Sequence, residues 1–139
     1  MKQVSDELAL STRGRSFTMI TGEVQAWLAS TGLEEGLLTL LVQHTSASLL
    51  IQENADPSVR RDFEKIFARL IPDGDPAYEH TLEGDDDMAA HIRSALTATS
   101  LSIPFSSGRL CLGTWQGIYL WEHRTHPHRR RIHLHVIGE

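Results

Sequence analysis

Apolar residues recur along this chain with two periods, one typical of helices and one typical of strands. Residues 57–70 carry apolar side chains at helical spacing, which predicts a helix with one buried face. Asp56 is a suitable N-cap and Pro57 a suitable first residue for that helix. We expect a second helix from Asp86 to Ala98 and a short one from Thr21 to Gly32.

Alternating or continuously apolar segments predict strands in the rest of the chain. They comprise residues 4–12, 17–20, 36–42, 47–52, 101–105, 109–112, 117–122 and 132–137. We expect the first two to pair as a hairpin that turns at residues 13–15. In the last strand, apolar residues alternate with His133 and His135, which therefore share the opposite face.

The order of these elements predicts an α+β fold. Strands begin and end the chain, and the two longer helices lie together in the middle, without the regular alternation of a doubly wound sheet. We therefore expect a β-rich sandwich of mixed or antiparallel sheets with two to three flanking helices. The 139 residues fit one domain, 1–139, which is long enough to bury a core without disulfides.

Composition narrows the class of protein. Hydrophobic residues make up 40% and charged residues 22%, as in ordinary globular proteins, and a net charge of -5 argues against nucleic acid as a partner. Cys111, the single cysteine, cannot form an intrachain disulfide, and we interpret it as a packing residue between two leucines. The polar N-terminus and the lack of a long apolar run predict a cytoplasmic protein that is not in a membrane.

Histidines and carboxylates gather in the middle of the chain. His80 and His91 flank the acidic residues 83–87, and His44 lies upstream at a predicted strand end. Three histidines with one open coordination position are typical of catalytic zinc, so these three are candidate ligands. The spacing is equally compatible with histidines that have separate roles, because no pair of them is four residues apart on one helix. We expect Asp85, Asp86 and Asp87 chiefly to start the helix that presents His91.

Two polar segments are candidates for substrate contacts. Asp56 is explained by its role as a helix cap, but Glu53 and Asn54 are not. Glu53 is a candidate base and Asn54 a candidate substrate-binding residue, and a simple polar turn is the alternative. Ser46 and Ser48 lie near His44 without the glycines of a nucleophile elbow, so we expect them to bind a substrate or a phosphate.

A third polar segment follows the glycines at 113 and 117. These glycines bracket Gln116 and predict a sharp turn or a close backbone approach. Glu122, His123 and Arg124 come next, and the guanidinium of Arg124 is suited to a pair of phosphate oxygens. A hairpin with a core aromatic residue and a solvated charged end is the alternative. Residues 129–131 form a small basic patch, for which a solvated face is the simpler interpretation. Roles for the remaining histidines stay open; they are His126, His128, His133 and His135.

Several motifs occur in an order that resembles one known family. They are residues 44–48, 52–57, 80–91, 108–110 and 113–124, and the Gly-Thr-Trp-Gln-Gly segment at 113–117 is highly specific. From about residue 17 to 139, the chain resembles the YjbQ family, also called the UPF0047 or secondary thiamine-phosphate synthase family. The resemblance implies a β-rich sandwich, a homotrimer, and a site formed between subunits. It also implies a weak synthase activity that joins hydroxymethylpyrimidine diphosphate to thiazole phosphate and releases pyrophosphate.

Together these observations give the hypothesis of a metal-dependent transferase that acts on a small phosphorylated metabolite. The expected cofactor is a divalent metal. It would be zinc bound by His44, His80 and His91, or magnesium bound together with a diphosphate substrate. Glu53 or Glu122 would take a proton. Substrate-binding roles are assigned to the following residues: Ser46, Ser48, Asn54, Gln116, His123 and Arg124. A metal-dependent hydrolase of a small metabolite and a non-enzymatic trimer that binds a metal or ligand are the alternatives.

Overall fold

The computed structural model describes residues 1–139 and contains eight strands and three helices. The strands are β1 (Lys2–Ser11), β2 (Ser16–Met19), β3 (Glu35–Val42), β4 (Ala47–Glu53), β5 (Ser100–Ser106), β6 (Arg109–Leu110), β7 (Gln116–Glu122) and β8 (Arg129–Gly138). The helices are α1 (Thr21–Thr31), α2 (Pro57–Leu70) and α3 (Asp87–Leu96). No helix of the molecule has both the length and the apolar character needed to cross a bilayer.

The strands form two antiparallel sheets. One has the order β1-β8-β3-β5-β6, and the other has the order β2-β7-β4. Apolar side chains from both sheets and from α1 form one buried core, which includes Leu40 of β3, Leu134 of β8, Leu49 of β4 and Leu120 of β7. Burying a leucine side chain contributes about 1.5–3 kcal/mol, so this core is the main source of stability. The predicted α+β sandwich is confirmed.

The predicted hairpin of the first two strands is wrong. β1 pairs with β8 in the larger sheet, whereas β2 pairs with β7 in the smaller one. Gly14 lies between them with a φ of +123°, and a Cβ atom there would be 2.7 Å from the carbonyl oxygen of Thr125. The turn therefore carries the chain from one sheet to the other, close against residue 125, instead of folding it back on itself.

Helix α2 forms where the sequence predicts it, but the predicted buried face is wrong: no residue of the helix is fully buried, and Ile66 and Leu70 are 47% and 66% exposed. The Oδ1 atom of Asp56 accepts a hydrogen bond from the Ser58 amide at 2.9 Å, and Pro57 takes the first position. Its apolar face covers the outer side of the smaller sheet, where the rings of Phe63 and Phe67 lie 6.2 and 4.7 Å from that of Trp121. The helix therefore covers the part of the sheet face around Trp121.

Two local predictions need correction. Thr21 begins α1 but does not cap it, because its hydroxyl oxygen accepts a hydrogen bond from the Ile118 amide at 2.8 Å and so ties α1 to β7. Gly32 ends the helix in the left-handed conformation, as expected. Cys111 is exposed rather than packed, because β6 stops at Leu110 and the chain leaves the sheet there.

The register of β4 against β7 separates two groups of candidate residues. Ala47 faces Glu122 at one end of the pair, and Glu53 faces Gln116 at the other. Six residue steps at about 3.3 Å each put the two ends about 20 Å apart. Helix α3 packs at the Ala47 end, where the Ser94 hydroxyl donates to the Ala47 carbonyl at 3.2 Å. The candidate site is therefore at that end.

Candidate metal centre

Two side chains of α3 and one from the loop before it bring their possible ligand atoms close together. The ligand atoms of His80, Asp87 and His91 all lie within 4.8 Å of each other. Oδ2 of Asp87 is 2.7 Å from Nε2 of His80 and 3.3 Å from Nε2 of His91. Asp87 and His91 are four residues apart on α3 and so share one face of the helix.

The loop of residues 71–86 supplies His80 to this group. The Gly74 amide donates to the Asp85 carbonyl at 2.9 Å, so the two ends of the loop meet. Arg15 binds Asp73 through Nη1 at 2.9 Å and fastens the loop to the turn before β2. A loop of this length without regular structure is typical of a functional segment, and its own hydrogen bonds make it compact.

Hydrogen bonding fixes which nitrogen of His91 is available. Nδ1 lies 3.0 Å from the Thr45 carbonyl oxygen, which can only accept, so Nδ1 carries the hydrogen. In the neutral ring, Nε2 then presents a lone pair to Oδ2 of Asp87, which also presents lone pairs. Two acceptors 3.3 Å apart repel each other unless a proton or a metal cation lies between them. The group can therefore hold a proton or a divalent cation at this point, and Thr45 orients one of the candidate ligands.

Arg124 holds the acidic residues of the centre in place. Its Nη1 is 3.0 Å from Oδ1 of Asp87, and its Nε donates to Oδ2 of Asp86 at 2.9 Å. Burial disfavours the charge of Asp86, but hydrogen bonds from the Thr125 amide and from Arg124 outweigh it and lower its pKa to about 2. A third nitrogen of Arg124 donates to the Glu83 carbonyl at 2.9 Å. The guanidinium thus orients Asp87, and every one of its nitrogens has a protein partner.

His44 does not join this group within the chain. Its Nε2 accepts a hydrogen bond from the Arg131 amide at 2.8 Å, so the hydrogen of the neutral ring is on Nδ1 and neither nitrogen is free to bind a metal. Burial, followed by the positive charges of Arg130 and Arg131, lowers the pKa of His44. The structure brings together two of the three predicted histidines and places Asp87 where a third was expected.

Comparison with known proteins identifies the family. Residues 6–139 match the family described as UPF0047 protein YjbQ-like. The chain belongs to the YjbQ family. It is 51% identical to a UPF0047 protein of Synechocystis, over 99% of this chain and 94% of that one. It is 50% identical to YjbQ of Escherichia coli O157:H7, over 95% of this chain and 96% of that one.

Solved structures agree with this membership. A YjbQ/UPF0047 family protein of Clostridium acetobutylicum is 34% identical and has a TM-score of 0.87, with 95% of this chain and 99% of that chain covered. A YbjQ-like protein of Sulfolobus solfataricus has a TM-score of 0.90 over 99% of both chains, and at 24% identity it shows the shared fold alone. The resemblance in the sequence motifs is therefore confirmed for the family and for the fold.

In this YjbQ-family chain, Glu122 and Ser46 belong to a buried network. Glu122 is fully buried, and its Oε1 accepts from Thr12 Oγ1 at 2.6 Å and from Arg130 Nε at 2.8 Å. Burial opposes its charge, but the hydrogen bonds from Arg130 and Thr12 outweigh burial and place its pKa below the usual value. Arg130 also donates to Ser46 Oγ at 2.9 Å. Neither residue has a group free for substrate.

Ser48 and His123 form a second buried pair. Ser48 Oγ lies 2.8 Å from Nε2 of His123, and both residues are inaccessible to solvent. Burial, followed by the charges of Arg93, Arg15 and Arg130, lowers the pKa of His123 to about 3. The imidazole is therefore neutral at physiological pH. The pair supports the floor of the site and does not reach its surface.

The neutral His123 predicts an acid-sensitive contribution to stability. Its ordinary pKa is 6.5 and its folded pKa is about 3, so between these values the unfolded chain binds more protons than the folded one. The free energy of unfolding should therefore decrease as the pH is lowered through this window, by roughly 1.4 kcal/mol per pH unit. His123→Gln should flatten this slope, and urea unfolding at pH 7, 6, 5 and 4 measures it. The exposed His126→Gln is the control, and equal slopes in both variants would contradict the assignment.

Glu53, Asn54 and Gln116 lie at the other end of the β4–β7 pair, about 20 Å from the Ala47 end where α3 packs. Glu53 Oε2 accepts from the Asp56 amide at 2.9 Å, and Gln116 Oε1 accepts from the Gly113 amide at 2.8 Å. Asn54 Nδ2 donates to a loop carbonyl at 3.4 Å. Within one chain, these three residues shape turns and are not brought to the centre.

The sequence assigned Asp87 chiefly to helix initiation and so did not give it as a primary candidate ligand. A usable signal was present, because Asp87 and His91 have the four-residue spacing of ligands on one helix face. Arg130 was also missed, as part of a solvated basic patch. Its burial follows from strand alternation, since Arg129 and Arg131 point outward and Arg130 must point inward.

Proposed function

We propose that this chain is a metal-dependent transferase that acts on a small phosphorylated metabolite, and that thiamine-phosphate synthesis is its reaction. The observation that carries the proposal is the grouping of His80, Asp87 and His91 around one point, with Arg124 behind Asp87. Two imidazoles and a carboxylate with open positions are a donor set of catalytic zinc and iron centres. Zinc is the first candidate, and magnesium would accompany a diphosphate substrate.

Each residue of the centre has a distinct task. Thr45 fixes the tautomer of His91, Arg124 orients Asp87, and the loop of residues 71–86 presents His80. A bound metal would supply Lewis acidity for the negative charge on phosphate oxygens. Because Arg124 is committed to carboxylates, we assign it an orienting role rather than the direct phosphate contact expected from the sequence.

The proposed reaction needs no general base. The thiazole ring nitrogen attacks the methylene carbon of the pyrimidine, a C–N bond forms, and the C–O bond to the diphosphate breaks with its electron pair. The attacking nitrogen carries no proton, so none has to be removed. The positions of the two predicted bases agree with this, because Glu53 is at the far end of β4 and Glu122 is paired with Arg130.

The test is product formation by the purified, metal-loaded protein. Given the two precursors, we expect thiamine phosphate and pyrophosphate in equal amounts, with activity reduced at least about 100-fold in Asp87→Ala, because even indirect changes at metal sites cost about 10–100-fold. Liquid chromatography measures both products. The exposed Asp85→Ala is the matched control and should keep its activity. Absence of product from the wild-type protein would overturn the synthase proposal.

A metal-dependent hydrolase is the second candidate, and the donor set favours it because two imidazoles and a carboxylate also occur in zinc hydrolases. A screen of small phosphate and acyl esters, with His91→Ala as the inactive reference, separates it from the synthase. Metal binding without turnover in either assay would instead favour a binding protein.

We also propose the homotrimer that the resemblance implies. The outer face of the larger sheet supports it, because Leu37, Leu41 and Ile137 are 40%, 45% and 37% exposed there. Such a patch of apolar side chains is typical of an interaction surface. Light scattering should give three times the 15.6 kDa chain mass, and a monomer mass would contradict it.

A further inference from the structure

A polar cleft of about 330 Å³ opens beside the candidate metal centre. Its lining residues are Arg13, Gly14, Arg15, Ser16 and Thr125. These residues include two arginines and two hydroxyls, and none of them is hydrophobic or acidic. A cleft with this lining is suited to an anion and poorly suited to a cation or an apolar group.

The cleft is connected to the centre through two adjacent residues. The Thr125 amide donates to Oδ2 of Asp86 at 2.9 Å, and Arg124 donates to the same oxygen. Asp86 directly precedes Asp87, which faces both histidines of the centre. The backbone of Thr125 on one side and Asp87 on the other therefore meet at the carboxylate of Asp86 and the residue that follows it.

Arg13 is the uncommitted charge in this cleft. It is exposed and has no ion pair and no side-chain hydrogen bond within the chain. By contrast, Arg15 pairs with Asp73, Arg124 with Asp86, and Arg130 with Glu122. A free guanidinium offers the paired N–H groups that bind phosphate oxygens.

The walls of the cleft are held in place. Gly14 packs so closely that an added Cβ would lie 2.7 Å from the Thr125 carbonyl oxygen. Arg15 donates to the His123 carbonyl through Nε and Nη2 at 3.1 and 2.9 Å, and Ser16 donates to the Gly14 carbonyl at 2.8 Å. On the other side of Arg13, the Thr12 amide donates to the His128 carbonyl at 2.7 Å. Because the turn is fixed on both sides of Arg13, little ordering of the backbone is needed when an anion binds.

We propose that this cleft is an anion subsite in which Arg13 binds the phosphate group of a phosphate monoester. In the proposed synthase reaction, the phosphate of the thiazole substrate is not transferred, and the cleft gives this unreactive group a place away from the metal centre. The identity of the monoester rests on the proposed function, but the binding of an anion does not. Ser46 and Ser48, the hydroxyls first expected to bind phosphate, are buried.

Titration of the metal-free protein with inorganic phosphate and with methyl phosphate tests the subsite. We expect Arg13→Gln to weaken the affinity for both anions about 10-fold, which corresponds to the loss of one charged hydrogen-bonding partner. Arg109→Gln, which removes an equally exposed arginine on β6, should leave both affinities unchanged. Isothermal titration calorimetry measures the affinities, and circular dichroism checks the fold of each variant.

Three outcomes would overturn the subsite. The first is equal anion affinity in wild type and Arg13→Gln. The second is an equal loss of anion affinity in Arg13→Gln and Arg109→Gln. The third is a loss of anion affinity only in Arg129→Gln or Arg131→Gln, which change the outer face of the sheet. In the synthase assay, Arg13→Gln should raise the KM for thiazole phosphate about 10-fold without the same rise for the pyrimidine diphosphate. If the wild type forms no product, the proposed function fails while the anion titration still decides the subsite.

Discussion

Replacing His91 or Asp87 with alanine is expected to lower the affinity for zinc at least about 100-fold, whereas His44→Ala leaves it unchanged. Changes in residues that only orient metal ligands cost about 10–100-fold, so loss of a ligand costs at least as much. His44 has no free nitrogen because Nε2 accepts from the Arg131 amide at 2.8 Å. Competition titrations with a chromophoric chelator give the affinities, and mass spectrometry of the dialysed proteins gives the metal content.

His44→Ala is the decisive comparison because it removes a histidine from the same end of the molecule. Loss of binding in His44→Ala with retention in Asp87→Ala would restore the three-histidine ligand set and contradict the structure. Equal metal content in the wild type and in His91→Ala would contradict the proposal of a metal site at these residues. Circular dichroism of each variant separates loss of a ligand from loss of the fold.

Replacing Arg130 with alanine is expected to lower the free energy of unfolding by about 3–5 kcal/mol. The change leaves the carboxylate of Glu122 fully buried without its partner, and an uncompensated buried charge carries a cost of that size. The Ser46 hydroxyl and carbonyl also lose the donor that binds them at 2.9 and 3.1 Å. Urea unfolding at pH 7 measures the difference.

Arg131→Ala is the matched control for this prediction, since Arg131 is the exposed neighbour on the same strand and its loss should change the free energy by less than about 0.5 kcal/mol. The deficit of Arg130→Ala should also shrink as the pH falls. Without Arg130, burial raises the pKa of Glu122, so the folded variant takes up a proton that the unfolded chain does not yet bind. Equal stability of the two variants would show that the buried pair contributes little.

Local signals predicted α2 well and the pairing of β1 and β2 poorly, and the reason is physical. Asp56 and Pro57 act on the adjacent turn of helix, so their effect is contained in a few neighbouring residues. Strand pairing depends on which distant segment buries each apolar face. Gly14 is compatible with a hairpin turn and with a crossover between sheets, and only the packing against Thr125 distinguishes them.

The part of the candidate site that depends on helical spacing was predictable, and the part that depends on contacts between distant residues was not. The predicted helix was enough to make His91 a candidate, and Asp87, which lies on the same helix face, follows from the same helical spacing. The exclusion of His44 was not predictable, because it depends on a hydrogen bond with the Arg131 amide, 87 positions later in the chain. The burial of Glu122 likewise depends on Arg130, which is contributed by another sheet.

The loop of residues 71–86 is fastened near both of its ends by arginines that belong to other parts of the chain. Arg15 binds it at Asp73 and Arg124 binds it at Asp86, while Leu82 between them is 98% exposed. Substitutions at its outermost positions therefore leave the two anchors untouched. Sequence changes near Leu82 can therefore alter the outer surface of the loop while both of its ends stay bound to the rest of the chain.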